Sequence, residues 1–357
     1  MAHTQSRKAE ASPARRLNRL AAAADALRAG KPVRLGRSFT MLAAETSNAP
    51  AFQSRTPGWL VLSHARARTL KLRLYTKDVV ALPLAGLDAA AIRAIADPTA
   101  DLATPLKGPF KPLREKLPEA FAAAVKLAKL AGLLPAALLF KTGARNAVSV
   151  SPDEVFAYEN DAAENLAIVT RARVPLEGAE DAELVAFRAG DGHPENYAIL
   201  IGKPATSGPV LTRLHSECFT GDLLFSLKCD CGAQLRGAIA AIAKNGSGVL
   251  LYLAQEGRGI GLINKLRAYR LQDQGFDTLE ANQRLGFLPD ERIYAVAAKM
   301  LKLLGFRSVR LLTNNPEKVK GLKAAGIKVV ERVPHAFPAS RYNRAYLAAK
   351  AKAGHWL

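Results

Sequence analysis

Apolar and polar positions follow two different rhythms along this chain. In the front part, helical spacing predicts a helix over 14–29, closed by Gly30, and another over 118–131, closed by Gly132. Between them, short β-branched or alternating runs predict strands at 32–35, 58–63 and 71–75, and a helix at 87–95. Residues 151–160 are polar and turn-rich and read as the opening of a boundary. From residue 166 the runs shorten, and 167–174, 183–188, 197–201 and 210–215 alternate as strands between Gly, Pro and Asp turns. The period then switches to helix and strand in turn. Helices are expected at 234–244, 260–274, 290–304 and 317–325, and strands at 248–253, 308–312 and 328–332. No internal repeat is found. The fold class expected is α/β, of mixed α+β character: a smaller α/β domain at 13–160, and a back domain at 161–357 with a mixed, partly antiparallel sheet.

Length agrees with two domains, since 357 residues exceed the usual size of one. The longest apolar stretch, 131–140, is broken by Pro135 and falls short of the ~20 residues that cross a bilayer. No membrane partner is expected. The first 16 residues are basic and lack the apolar core of a secretory signal. Their Arg, Ala and Ser content is similar to an organelle transit peptide, but Glu10 and Asp25 interrupt that pattern. Residues 1–12 are therefore expected to be a disordered head on a cytoplasmic protein.

Net charge is +20, with +12 in residues 1–160 and +8 in 161–357. Such a balance suits an anionic partner, either nucleic acid or a phosphorylated small molecule. No RNA-recognition signature, zinc-finger spacing or aromatic-interleaved basic run is present, so a nucleic-acid partner is not expected.

The chain has three cysteines, Cys218, Cys229 and Cys231. Scattered at random, three would share so short a window less than roughly one time in a hundred. A disulfide would leave one thiol over, so a metal site in a reducing compartment is the better reading. Three thiolates with no obvious fourth ligand match a catalytic zinc site whose open position takes water. The alternative is a structural zinc site completed by His215 or a distant histidine. His193 and His335 lie in loop-like sequence and read as ordinary surface or turn histidines.

The surrounding motifs are more specific. RLHSECFTGD at 213–222 and SLKCDCG at 226–232 are followed in order by QEGRGIGL at 255–262, NKLRAY at 264–269 and QDQGFDT at 272–278. EAN at 280–282, LGF at 285–287, DER at 290–292 and LLTNNP at 311–316 complete the series. Together they closely resemble GTP cyclohydrolase II over residues 165–357. Ala254 departs from the pattern, standing where many relatives carry arginine.

The resemblance implies hydrolysis of GTP to 2,5-diamino-6-(5-phosphoribosylamino)pyrimidin-4(3H)-one, formate and pyrophosphate, the first step of riboflavin synthesis. It implies one zinc ion per subunit on Cys218, Cys229 and Cys231, a magnesium ion with the triphosphate, and a homodimer. It makes Asp290 the proton acceptor and assigns Arg292 to attack on the α-phosphorus. A charged guanidinium has no lone pair to offer, so stabilising charge at that phosphate is the easier role for Arg292. Tyr269 matches a tyrosine near the guanine C8 chemistry, suited to donating a proton. The GTP contacts implied are Arg213, Leu214, His215, Ser216, Glu217, Gln234, Glu256, Gly257, Arg258, Thr278, Thr313 and Lys318. Glu256 suits guanine N1 and N2, and the turn at 313–316 suits an anion at a helix N-terminus. From the residues alone, Asp290 and Arg292 would be a helix cap and a surface arginine, and Tyr269 a helix-surface aromatic.

In the front half, ALRAGKPVRLGRSFTMLAAE at 26–45 faintly resembles the start of 3,4-dihydroxy-2-butanone-4-phosphate synthase. That family places an acidic magnesium-binding loop after its first strand. The corresponding residues 36–41 carry no carboxylate, so a degenerate, catalytically silent domain is expected. Three other functions stay open at this stage: a diverged hydrolase of another nucleotide, a non-catalytic regulatory or nucleic-acid-binding protein, and a bifunctional enzyme.

Overall fold

A computed structural model describes residues 12–47, 57–141, 144, 146–344, 347, 348, 351, 354 and 356. The expected disordered head, Ser12 apart, lies outside them. The chain opens with α1 (Pro13–Arg28), whose Leu17, Leu20, Ala23, Ala24 and Leu27 are buried at helical spacing. Next come β1 (Val33–Leu35), β2 (Phe39–Ala43), β3 (Gly58–Ser63), α2 (His64–Thr69), β4 (Val79–Pro83), α3 (Ala89–Ala96), α4 (Glu119–Leu130), β5 (Ala136–Phe140) and β6 (Val148–Val150). Their strands form one mixed sheet in the order β4-β3-β5-β2-β1-β6, in which only the β1–β6 pair is parallel.

Helix α5 (Pro152–Glu164) leads into β7 (Ala167–Arg173), β8 (Ala182–Arg188), β9 (Asn196–Ile201) and β10 (Val210–Ser216). After α6 (Cys231–Lys244) and β11 (Gly248–Leu253) follow α7 (Leu262–Asp273), α8 (Thr278–Arg284), α9 (Tyr294–Leu303), β12 (Ser308–Leu312), α10 (Pro316–Ala324) and β13 (Lys328–Val333). A second sheet takes the order β13-β12-β10-β11-β9-β8-β7, parallel on the side of β13 and antiparallel from β11 outward. The mixed α/β class expected from the sequence is therefore what is found. Among the described residues no helix is long and apolar enough to cross a membrane.

Three expectations need correction. Residues 71–75 form no strand: Lys71 turns into left-handed backbone (φ 57°), and Leu70, Leu72 and Leu74 pack on a core cluster without a ladder partner. Their alternation records one-sided burial, not pairing. The polar stretch 151–160 is helical, because Ser151 and Glu154 form a reciprocal capping box and Val155, Tyr158, Asp161 and Ala162 bury one face. Finally, α9 begins at Tyr294, so Asp290 and Arg292 lie in the preceding coil. Asp290 is thus no helix cap, and the Arg292 side chain, 7% exposed, is not that of a surface arginine.

One hydrophobic cluster runs through both sheets, joining Leu17, Phe121 and Val155 to Val185, Phe187, Leu301 and Phe306. Polar contacts cross the same seam: Ser63 Oγ donates to the Gly286 carbonyl at 2.7 Å and Gln274 Nε2 to that of Thr99 at 2.8 Å. Arg66 is wholly buried, donating to Asp101 at 2.5 and 2.9 Å and to the Ile95 carbonyl at 2.7 Å, and Lys107 also reaches Asp101. Arg284 approaches the same carboxylate from α8, 3.8 Å away.

Burial pushes the Asp101 carboxyl up, but Arg66 and Lys107 outweigh it and the net shift is downward. A depressed folded value stabilises the protein above the unfolded pKa of about 3.9, and that stability is lost as pH falls through the folded value. Asp101→Asn, which strands a buried guanidinium, is expected to cost about 3–5 kcal/mol in urea unfolding at pH 7. The gap to the unsubstituted protein should shrink as the titration is repeated at progressively lower pH. A deficit that stayed constant down to pH ~2 would contradict the ionic account.

Candidate metal and nucleotide site

Strand β10 delivers the first metal-ligand candidate. Its two-residue period turns Arg213 and His215 toward one face and Leu214 into the hydrophobic core, where it is 1% exposed. The Leu214 side chain therefore does not line the cavity, although its carbonyl accepts from Lys318 Nζ at 2.6 Å. Beyond the strand, Glu217 N–H still pairs with the Leu253 carbonyl at 2.9 Å, and Cys218 begins a tight π-type turn over Phe219–Leu223. Asp222 organises that turn. Its carboxylate accepts from Cys218 N–H and from the Tyr252 hydroxyl, each at 3.0 Å, and faces His215 Nε2 at 3.0 Å.

The other two thiols flank Asp230, with Cys231 opening α6. All three sulfurs lie within 4.8 Å of one another, and Cys218 and Cys229 are 3.8 Å apart. Two thiolates each ~2.3 Å from a tetrahedral zinc ion would stand about 3.8 Å apart, so the donor set fits zinc. Backbone geometry fits as well. A Cβ on Gly221 would sit 2.9 Å from both Cys218 and Cys229 sulfurs, and one on Gly232 would sit 2.3 Å from the Gly221 carbonyl oxygen. Only glycine lets these loops close. Among the described residues the cluster contains no histidine, since His215 Nε2 turns to Asp222 instead. Burial pushes the His215 imidazole down despite Asp222, and Nδ1 has no partner.

Lys265, from α7, meets the cluster at Cys218. Its ammonium donates to Cys218 Sγ at 3.0 Å, Thr220 Oγ1 at 2.9 Å and Glu256 Oε1 at 2.8 Å. Burial opposes that charge, but Glu256 and Cys218 outweigh it and the net shift is upward. Hydrogen bonds from Cys229 and Cys231, together with Lys265, hold the Cys218 thiol well below its ordinary range. Glu256 is itself buried and takes Phe219 N–H at 2.6 Å on its second oxygen. It is no solvated carboxylate. The following Gly257 and Arg258 both adopt left-handed backbone (φ 64° and 65°), a strained turn at the rim of the cavity.

One cavity gathers most of the expected residues. Arg213, His215, Ser216, Glu217, Gln234, Glu256, Gly257, Arg258, Tyr269, Thr278, Arg292, Thr313 and Lys318 line it with the three cysteines. Arg213 is buried, donating to the Leu312 carbonyl at 2.9 Å and pairing with Gln234, and burial pushes it down to about 10. Burial pushes the Tyr269 phenol up to about 12, so it stays protonated at neutral pH. The turn after β12 joins strand to helix with Pro316 in the first helical turn; Asn315 caps α10 through Glu317 N–H at 2.9 Å, and Thr313 Oγ1 accepts from Asn315 N–H at 3.0 Å.

Asp290 does not line the cavity; it meets it through Arg292, which donates to it at 2.8 and 2.5 Å. Burial raises the Asp290 carboxyl, but Arg292 outweighs this and holds it below the usual carboxylate range. While so paired it is a weak base. His335 is also not the surface residue expected. It is buried, lines the cavity, pairs through Nε2 with the Gln234 carbonyl at 2.8 Å, and is pushed down to about 4 by burial.

Sequence reasoning named neither Lys265 nor Asp222, although both fall inside quoted motifs. The signal for Lys265 was present: it precedes Tyr269 by four residues on a helix, so the two share a face. Asp222 gave none, because its role depends on Tyr252 from a distant strand.

The sequence profile of the family described as GTP cyclohydrolase II matches residues 167–334, the span from β7 to just past β13. A GTP cyclohydrolase-2 of Azospirillum brasilense is 58% identical over 245 residues, covering 65% of this chain and 64% of that protein. That share exceeds what residues 167–357 supply, so the similarity reaches into the front half. Another from Pseudomonas paraeruginosa is 60% identical over 164 residues, covering 46% of this chain and 80% of its own length. One from Tolumonas auensis is 58% identical over 175 residues, covering 49% and 89%. Among solved structures, RibBX of A. baumannii, a two domain 3,4-dihydroxy-2-butanone 4-phosphate synthase, aligns over 90% of this chain and 99% of its own. Its identity is 18% and its TM-score 0.33, a likeness too loose to relate the folds. With relatives this similar matched over four-fifths or more of their length, the chain belongs to the GTP cyclohydrolase II family.

Proposed function

We propose that this cavity binds GTP with magnesium on its triphosphate and hydrolyses it to the diaminopyrimidinone ribosyl phosphate, formate and pyrophosphate, as the first step of riboflavin synthesis. The observation that carries the reading is the triangle of Cys218, Cys229 and Cys231 sulfurs beside the buried Lys265–Glu256 pair in one cavity. Zinc held by those three thiolates would supply Lewis acidity at the purine carbon that is lost as formate.

The remaining work falls to the chain's own residues. Glu256, fixed by Phe219 N–H and Lys265, keeps acceptor capacity for guanine N1 and N2. Arg258, Lys318 and the turn carrying Thr313 take the phosphates, where charge and helix N–H groups favour anions. Tyr269 stays protonated and donates to the opening ring. Arg292 leaves Asp290 for the α-phosphate as charge develops there. That move frees the Asp290 carboxylate to accept a proton, which resolves its low basicity in the unliganded pairing. A homodimer in the cytoplasm completes the reading, on family likeness. The front half adds no carboxylate at 36–41, the loop where butanone-phosphate chemistry would hold its metal.

Purified protein given GTP and magnesium is expected to release formate and pyrophosphate. Cys229→Ser should lose both bound zinc, measured by atomic absorption, and at least about 10³-fold of the turnover. Formate release undiminished in that variant would overturn the metal chemistry.

Lys265→Met leaves Glu256 buried without its cation. Its kcat/KM for GTP should fall about 100-fold, close to 2.7 kcal/mol of transition-state stabilisation. Zinc content should be retained, since all three sulfurs remain. Equal kcat/KM in this variant would remove Lys265 from the reaction.

A further inference from the structure

Helix α7 has two working faces. Lys265 and Tyr269 face the cavity, while Asn264 and Arg267 face the front half. Arg267 makes a two-pronged pair with Glu45, at 2.7 and 3.2 Å, and also holds Asn264 Oδ1 at 2.8 Å. Asn264 Nδ2 donates onward to the Gly132 carbonyl at 3.1 Å. Glu45 in turn accepts from Leu134 N–H at 2.8 Å. A second pair crosses the seam from the same end of α4: Lys129 Nζ meets Glu291 Oε1 at 2.5 Å. Glu291 stands between Asp290 and Arg292, and its N–H donates to the Arg258 carbonyl at 3.0 Å. The last turn of α4 and the residues after it thus hold both the helix bearing Lys265 and Tyr269 and the coil bearing Asp290 and Arg292.

We propose that the front half is a positioning element for the back-half site, acting through the Glu45–Arg267 and Lys129–Glu291 pairs. None of these four residues lines the metal and nucleotide cavity. They act by fixing the orientation of groups that do. Both pairs are only partly exposed, so their charges are incompletely screened. The activity arm of the test rests on the GTP reading above; the second arm does not.

The full-length zinc-loaded protein is compared with Arg267→Met, Lys129→Met and Glu45→Gln, and with the charge-keeping variants Arg267→Lys and Lys129→Arg. Each charge-removing variant should lower kcat for formate release about 10- to 100-fold with KM for GTP unchanged within about twofold. Each charge-keeping variant should recover most of that loss. Hydrogen–deuterium exchange should quicken in α7 and in residues 288–293 of the charge-removing variants and stay unchanged in β10 and β11. Unaltered kcat in all three, no recovery with the charge-keeping variants, or exchange that rises evenly along the chain would overturn the proposal. Should the unsubstituted protein release no formate, the GTP reading fails while exchange still decides: unchanged rates in α7 and 288–293 would refute positioning. If one variant does not fold, Glu45→Gln, which keeps shape and an acceptor for Leu134 N–H, carries the comparison.

Discussion

Gathering three sulfurs within 4.8 Å of one another is electrostatically unfavourable once they ionise, and the architecture of this site follows from meeting that cost. A divalent ion would compensate two of three negative charges. Lys265 stands at hydrogen-bonding distance from Cys218 and supplies a further positive charge. Its own burial is tolerable because Glu256 and Thr220 complete its hydrogen bonds. Glu256 is thereby fixed in place, and a fixed carboxylate is what recognition of a purine edge requires. One buried cation therefore couples the cysteine cluster to Glu256, the residue proposed to meet the base.

This coupling explains which parts of the site were legible in the sequence. The cysteines cluster within fourteen positions and declare themselves by local spacing, whereas Arg213 and the turn at Thr313 were placed by the family resemblance of the motifs around them. Strand periodicity also separates the Leu214 side chain from those of its neighbours on β10, since adjacent residues face opposite ways. What stayed hidden depends on contacts across the fold. Asp222 looks like any turn aspartate until Tyr252 and His215 converge on it. His335 looks like a loop residue until Gln234 and Phe337 enclose it.

The fold shows the same division. Most strands of the back half were readable to within a residue or two because they bury one face. Helix α8 (Thr278–Arg284) went unread, and α6 and α9 begin three to four residues from where the pattern placed them. Errors fell where local pattern and tertiary role part company. Leu70, Leu72 and Leu74 alternate as a strand would, yet they pack on a core cluster and pair with no strand of the sheet. Residues 152–164 look too polar for a core helix, yet four apolar or buried positions and one capping box suffice once α1 and α4 supply the surface.

The placement of α4 makes the front half more than a passenger. A catalytic group must be held to within about 0.5 Å, and a helix with one wet face is a poor anchor for that purpose. Helix α7 avoids this because Asn264 and Arg267 bind on the side away from Lys265 and Tyr269. A domain that had lost its own chemistry would still be constrained at Glu45, Lys129 and Gly132, since these atoms complete a neighbour's site. The constraint is narrow: it touches one strand end and one helix end, leaving most of the front sheet free to diverge. Residues 36–41 carry no carboxylate of their own, whereas Glu45, nine residues beyond Gly36, is committed to Arg267 across the seam.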